Sequence, residues 1–112
     1  MFDSPMTPEK LEAILSSLRT GLENLLRDQL EAVYLYGSHA RGDARPDSDI
    51  DVLVVINGDF DCFNMIERTS NLAADLSLDN DTVIALAFAT KETFANKMSP
   101  FFMNVRKEGI EI

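Results

Sequence analysis

Residues 32–56 read AVYLY-GSHARGDARPDSD-IDVLVVI, and this stretch decides the fold. Its two ends, residues 32–36 and 50–56, are short runs rich in β-branched and aromatic residues, the composition of strands. The second run is almost wholly apolar, which predicts a strand buried on both faces. Between them Gly37 ends the first strand. Residues 38–42 read as a turn feeding one helical turn, and residues 43–48, with Pro46, as a polar loop.

The corner between the strands has the chemistry of an anion site. Glycine lets the backbone approach a ligand with no Cβ in the way. The free N–H groups opening the next helical turn favour negative charge, and the Ser38 hydroxyl adds a donor. Asp49 and Asp51 are two residues apart on a strand, so they point to one face, about 7 Å apart along it. Ile50 points the other way, into the core. Two such carboxylates repel unless a cation lies between them, and an all-oxygen site of this kind suits Mg²⁺ or Mn²⁺ bridging phosphate oxygens. Asp47, Asp49 and Asp51 also look like the start of a calcium loop. That loop needs Gly where Val52 stands and Glu where Gly58 stands, so it fails. Neither a Walker A nor a G-x-G-x-x-G pattern is present.

Working outward, residues 7–30 carry Leu11, Ile14, Leu15, Leu18, Leu22, Leu25 and Leu26 at helical spacing, with Thr7 as the cap and Pro8 at the first position. Asp59 is expected to cap a second helix over residues 60–78, with Phe63, Ile66, Ala73 and Leu76 inward. Residues 82–89 read as a third strand. Thr90 caps a third helix containing Phe94 and Met98, which Pro100 breaks, and residues 101–107 form a last short helix. The expected architecture is α/β: a small mixed sheet flanked by helices, in a single domain over residues 1–112.

Composition narrows the function. The chain has 112 residues, 46% hydrophobic and 26% charged, an ordinary globular mix. Ten basic residues against nineteen acidic ones give a net charge of −9. With no Lys/Arg cluster, direct nucleic-acid binding is not expected, and a basic protein partner is. No apolar run approaches the roughly 18 residues of a membrane span. The opening MFDSPMTPEK lacks the pattern of a signal peptide, and the single Cys62 fits a reducing compartment. The expected location is the cytoplasm. With His39 as the only histidine, zinc chemistry is not expected.

Gly37-Ser38, ten residues, then Asp49-Ile50-Asp51 resembles the signature of the DNA polymerase beta-type nucleotidyltransferase superfamily. GSHARG and SDIDVLV are similar to its minimal branch, the MNT-type proteins, often antitoxins paired with HEPN-domain toxins. The tail from Asn104 to Ile110 resembles that family's usual ending. The resemblance implies the minimal nucleotidyltransferase core. Gly37 and Ser38 would hold the outer phosphates of an NTP, Asp49 and Asp51 would carry metal ions and catalyse, and Arg41 would approach a phosphate or form a surface salt bridge. The family's third carboxylate falls near Val83, where no acid stands. Asp81, two residues earlier, is the substitute the resemblance points to.

Two functions follow as expectations. As an enzyme, the chain would use Mg²⁺ or Mn²⁺ to transfer AMP from ATP to a hydroxyl of a partner protein, a HEPN-type ribonuclease toxin, in a hetero-oligomer. Little chain remains outside the core to build a pocket for a small acceptor. As a binding module, it would neutralise that toxin by complex formation alone.

Overall fold

The computed structural model describes residues 6–112; residues 1–5, part of the opening stretch read above for a targeting signal, lie outside that range. The elements run α1 Pro8–Leu26, a 3₁₀ turn Arg27–Gln29, β1 Leu30–Tyr36, α2 Ser38–Arg41, β2 Ile50–Ile56, α3 Cys62–Asp79, β3 Ile84–Thr90, α4 Lys91–Asn96, α5 Pro100–Glu108 and β4 Ile110–Glu111. The sheet order is β3-β2-β1-β4. β1 is antiparallel to β2 and to β4, while β2 and β3 are parallel and joined through α3, so the sheet is mixed, as expected.

Thr7 caps α1 by accepting the Lys10 N–H at 3.1 Å, a contact that typically contributes about 1 kcal/mol. The helix ends at Leu26 rather than at residue 30, because Arg27 turns to φ +50° and the chain tightens into the 3₁₀ turn. Leu30 continues the leucine spacing but pairs with Ile56 in the sheet, beside a bulge between Leu30 and Ala32. Period alone could not separate the two fates.

β2 is the centre of the molecule. Ile50, Val52, Val54 and Ile56 face one side and pack with the α1 leucines, Val33, Leu35 and Met65. Leu53 and Val55 face the other side, with Ala32, Ala89 and Val105. Helices therefore cover both faces of β2, and its near-continuous apolar run is the consequence.

Three expectations need correction. α3 is capped by Asp61, not Asp59: Asp61 Oδ1 accepts the Phe63 and Asn64 N–H groups at 3.0 and 3.4 Å. Its inward stripe is Met65, Thr69, Leu72 and Leu76, while Phe63 and Ile66 are 69% and 50% exposed. A buried threonine in that stripe is satisfied because its hydroxyl donates to the Met65 carbonyl at 2.8 Å, which a pattern of apolar residues does not register. Second, Pro100 opens α5 instead of breaking the preceding helix. Ser99 is the cap, accepting the Phe102 N–H at 3.3 Å, and Met98 lies in the connection, 72% exposed. Third, β4 was not anticipated. Its two residues pair Glu111 with Tyr34 and Ile110 with Leu35, too short a run to leave a period.

The α3 register makes a direct prediction. Met65→Ala should destabilise the protein by about 2–5 kcal/mol, and Phe63→Ala should stay within about 0.5 kcal/mol of wild type. Denaturant melts of the two variants check this; a larger loss at Phe63 would contradict the register.

Candidate functional site

Tyr36, the last residue of β1, pairs across the sheet with Asp51 on β2. The next residue must turn the chain away from the sheet while passing over that carboxylate. Gly37 does so at φ +77°, ψ −155°, a conformation open only to glycine. A Cβ there would also collide with Oδ2 of Asp51 and lie 3.3 Å from its Cγ. The backbone conformation thus demands glycine, and the close approach of Asp51 leaves little room for a side chain.

The Gly37 carbonyl then starts α2, accepting the Ala40 and Arg41 N–H groups at 3.1 and 3.0 Å. The N–H groups of Ser38 and His39 precede the first helical hydrogen bond, so no turn of helix uses them. Gly42, left-handed at φ +87°, closes the turn by donating its N–H to the Ser38 carbonyl at 2.9 Å.

The loop that follows is tied at its far end. Ser48 Oγ accepts the Arg45 N–H at 2.8 Å, and the Ser48 N–H returns to the Arg45 carbonyl at 3.0 Å. His39 Nε2 lies 3.4 Å from the Ser48 carbonyl, placed to donate to it. Ile50 N–H bonds the Val83 carbonyl at 2.8 Å. Asp49 therefore stands between two anchored residues. Ile50 is fully buried among the α1-side residues, and Asp51 is half-buried on the opposite face, as the alternation predicts.

Burial, and then the charge of Asp49, push the Asp51 carboxyl above its ordinary value of 3.8, against the lowering pull of His39 and Arg41. Burial and then Asp51 likewise raise the Tyr36 hydroxyl. Two acids are thus held where negative charge is penalised. A divalent cation would relieve that penalty, so the donor set fits Mg²⁺ or Mn²⁺. Among the described residues no group of three His, Cys, Asp or Glu side chains is poised to hold a metal. A carboxylate pair completed by phosphate and water oxygens is an ordinary Mg²⁺ arrangement.

A cleft of about 570 Å³ opens beside this corner, lined by Gly37, Ser38, Arg41 and Asp51 on one side and by Phe101, Asn104 and Glu108 of α5 on the other. That volume is within the range of small-ligand sites. Arg41 spans the cleft: its Nε is 3.3 Å from Asp43 in the following loop and its Nη1 3.5 Å from Glu108 on the opposite wall. Asp43 first, then Glu108, raise the pKa of its guanidinium. The salt-bridge reading of Arg41 and its place in the cleft thus hold together, though exposed pairs of this kind contribute little to stability.

The structure brings Gly37, Ser38, Arg41 and Asp51 together around the cleft, with Asp49 beside Asp51, and does not bring Asp81 to them. Asp81 is exposed, at φ +50° in the turn after α3, and β3 begins only at Ile84. The extended backbone needed to carry its side chain onto the face of Asp51 is absent. The α5 wall was missed by sequence reasoning. Phe101, Asn104, Val105 and Glu108 follow helical i, i+3, i+4, i+7 spacing, which marks a face but not what it faces.

The penalty on Asp51 has a testable sign. With its folded pKa raised, its contribution to stability is full below its unfolded value and is lost as pH rises through the folded one. In EDTA at pH 7, Asp51→Asn should therefore melt higher than wild type, and the gap should close as pH falls through the carboxylate range. Added Mg²⁺ should raise the wild type and leave Asp51→Asn unmoved. Equal or lower melting of the variant in EDTA at pH 7 would contradict the assignment.

The chain is similar to known proteins in sequence and fold. The family model described as Polymerase beta, Nucleotidyltransferase matches residues 21–100. Two proteins of Methanocaldococcus jannaschii are similar over 99 residues, 88% of this chain. One, named "Putative protein adenylyltransferase MJ0604", is 32% identical with 93% of its length covered. The other, "Putative protein adenylyltransferase MJ0141", is 28% identical with 95% covered. Among solved structures, one of the toxin–antitoxin MntA-HpeT superposes with a TM-score of 0.60 at 18% identity, over 86% of this chain and 69% of that one. A toxin–antitoxin with AMP-PNP superposes at 0.63 and 21% identity, over the same shares. At these identities the structures speak for the fold, and the family match and the relatives speak for the lineage. The chain belongs to the polymerase beta-type nucleotidyltransferase family.

Proposed function

We propose that the chain, acting as a single domain, transfers AMP from ATP to a hydroxyl of a partner protein, with Mg²⁺ or Mn²⁺ as cofactor. We infer further that it is a cytoplasmic antitoxin whose partner is a HEPN-type ribonuclease toxin. The observation that carries this reading is the close approach of the Gly37-Ser38 corner to the half-buried Asp51 carboxylate in one cleft, with exposed Asp49 beside it. The names of the M. jannaschii relatives and of the toxin–antitoxin neighbours support it. Among the described residues no helix is long and apolar enough to cross a membrane. The net charge of −9 suits a basic protein partner and opposes direct contact with nucleic acid.

In this reading Gly37 and Ser38 hold the outer phosphates with backbone N–H groups and the serine hydroxyl. Arg41 leaves Glu108 to meet phosphate charge. Asp49 and Asp51 hold the cation, which when bound supplies charge neutralisation and orientation of the phosphate oxygens. The acceptor oxygen attacks the α-phosphorus and loses its proton. The bond from that phosphorus to the bridging oxygen breaks, and pyrophosphate leaves. Most of the acceleration comes from positioning and charge.

One observation favours a second reading. No acid stands at Val83, and Asp81 remains in its turn, so activation of the acceptor falls to another group. A chain in that condition could neutralise a toxin by binding alone. The two readings differ in stoichiometry: an enzyme silences many partners per copy, a binding inhibitor about one.

With α-labelled ATP, Mg²⁺ and a lysate of its own source, wild type should label a second protein. Asp49→Ala or Asp51→Asn should abolish labelling with the fold intact, and γ-labelled ATP should give none. Full labelling by either variant would remove those residues from catalysis. No labelling by wild type that still binds ATP would select the binding module.

A further inference from the structure

The cleft has a second wall that the phosphate and metal chemistry leaves without a role. Along α5, Phe101, Asn104 and Glu108 present one face to it. Glu108 meets Arg41 at the phosphate corner. Phe101 is seven residues away along the helix, roughly 10 Å at the rise of an α-helix. That is about the separation between the outer phosphates and the base of a nucleotide.

Phe101 is 39% exposed, yet its ring is held. It stands edge-on to Tyr36 at 5.3 Å and 86°, and edge-on to Phe102 at 5.0 Å and 85°. Such contacts fix the plane of a ring and leave ring surface open to the cleft. One turn further along, Asn104 is exposed, lines the cleft and has no side-chain hydrogen bond among the described residues. Its neighbours are engaged: the Arg106 guanidinium bonds the Phe94 and Lys97 carbonyls at 2.6 and 2.8 Å, and Val105 is buried. Helix α5 is thus a rigid wall carrying one open aromatic ring and one free amide.

We propose that this face of α5 is the nucleoside wall of the site: the base stacks on Phe101, and the Asn104 amide reads the base edge. An amide presents a donor and an acceptor side by side, which matches the N6/N7 edge of adenine and mismatches the two acceptors of guanine. The wall therefore selects an adenine nucleotide. This rests on the nucleotidyltransferase reading of the opposite wall and deepens it.

The test is equilibrium binding, in Mg²⁺, of ATP, GTP and inorganic tripolyphosphate to the whole chain. Wild type should prefer ATP to GTP. Asn104→Ala, at an exposed position, should weaken ATP by about tenfold and GTP by less than about twofold, erasing the preference. Phe101→Ala should weaken both nucleotides by about fivefold or more. Tripolyphosphate should bind equally to all three proteins. Unaltered ATP binding in both variants, or a parallel loss of tripolyphosphate, would overturn the assignment while leaving the phosphate corner standing. Failure of wild type to bind any of the three would overturn the assignment and the reading beneath it.

Discussion

The structure turns on the contact between the Asp51 carboxylate and the backbone of Gly37. The antiparallel register that pairs Tyr36 with Asp51 brings the acid directly under the chain as it leaves the sheet. Only a residue without a side chain, in a conformation closed to other residues, passes over it. That passage starts α2 and sets its opening N–H groups beside an acid. A phosphate bound at that corner would set its negative charge next to the carboxylate, which is unfavourable on its own. In the proposed reading a cation would resolve the conflict, with Asp49 and Asp51 as the residues that would hold it.

The rest of the fold serves that contact. β2 has to be rigid enough to hold a half-buried acid at its opening, and it is sealed on both faces: by α1 and α3 through Ile50 and its alternates, and by α4 and α5 through Leu53 and Val55. The same alternation that sends Ile50 inward sends Asp51 toward α5. Helix α5 in turn is fixed by buried Val105, by the hold of Arg106 on the end of α4, and by β4 returning to β1. The tail thus contributes both to packing and to the second wall of the cleft.

Much of this was legible in the chain. The strands around Gly37 and Asp51 announce themselves through composition, and the corner through glycine, serine and alternating acids, because each depends on local chemistry. What stayed hidden depends on partners distant in sequence. Leu30 belongs to a strand because Ile56 is beside it, Phe63 is exposed because Asp61 sets the start of α3, and two residues form β4 because β1 offers a free edge. Asn104 and Glu108 looked like ordinary helix surface until α2 was placed opposite them. Asp81 failed as a strand residue because β3 begins later than its β-branched run, Thr82-Val83-Ile84, suggests.

In the proposed reading the acceptor side of the site lacks an acid of this chain. Val83 is 55% exposed beside Asp49, apolar where the family resemblance leads one to expect an acid. In the proposed reading the missing group comes with the acceptor protein, so chemistry waits for the partner. The proposed chemistry joins phosphate and metal at one corner. The most direct measurement is a crystal structure with Mn²⁺ and a non-hydrolysable ATP analogue, read at the manganese absorption edge. The account predicts an anomalous peak within coordination distance of Asp49 and Asp51, with the triphosphate against the Ser38 N–H. A nucleotide seated elsewhere, or carboxylates without manganese while the triphosphate is bound, would contradict it.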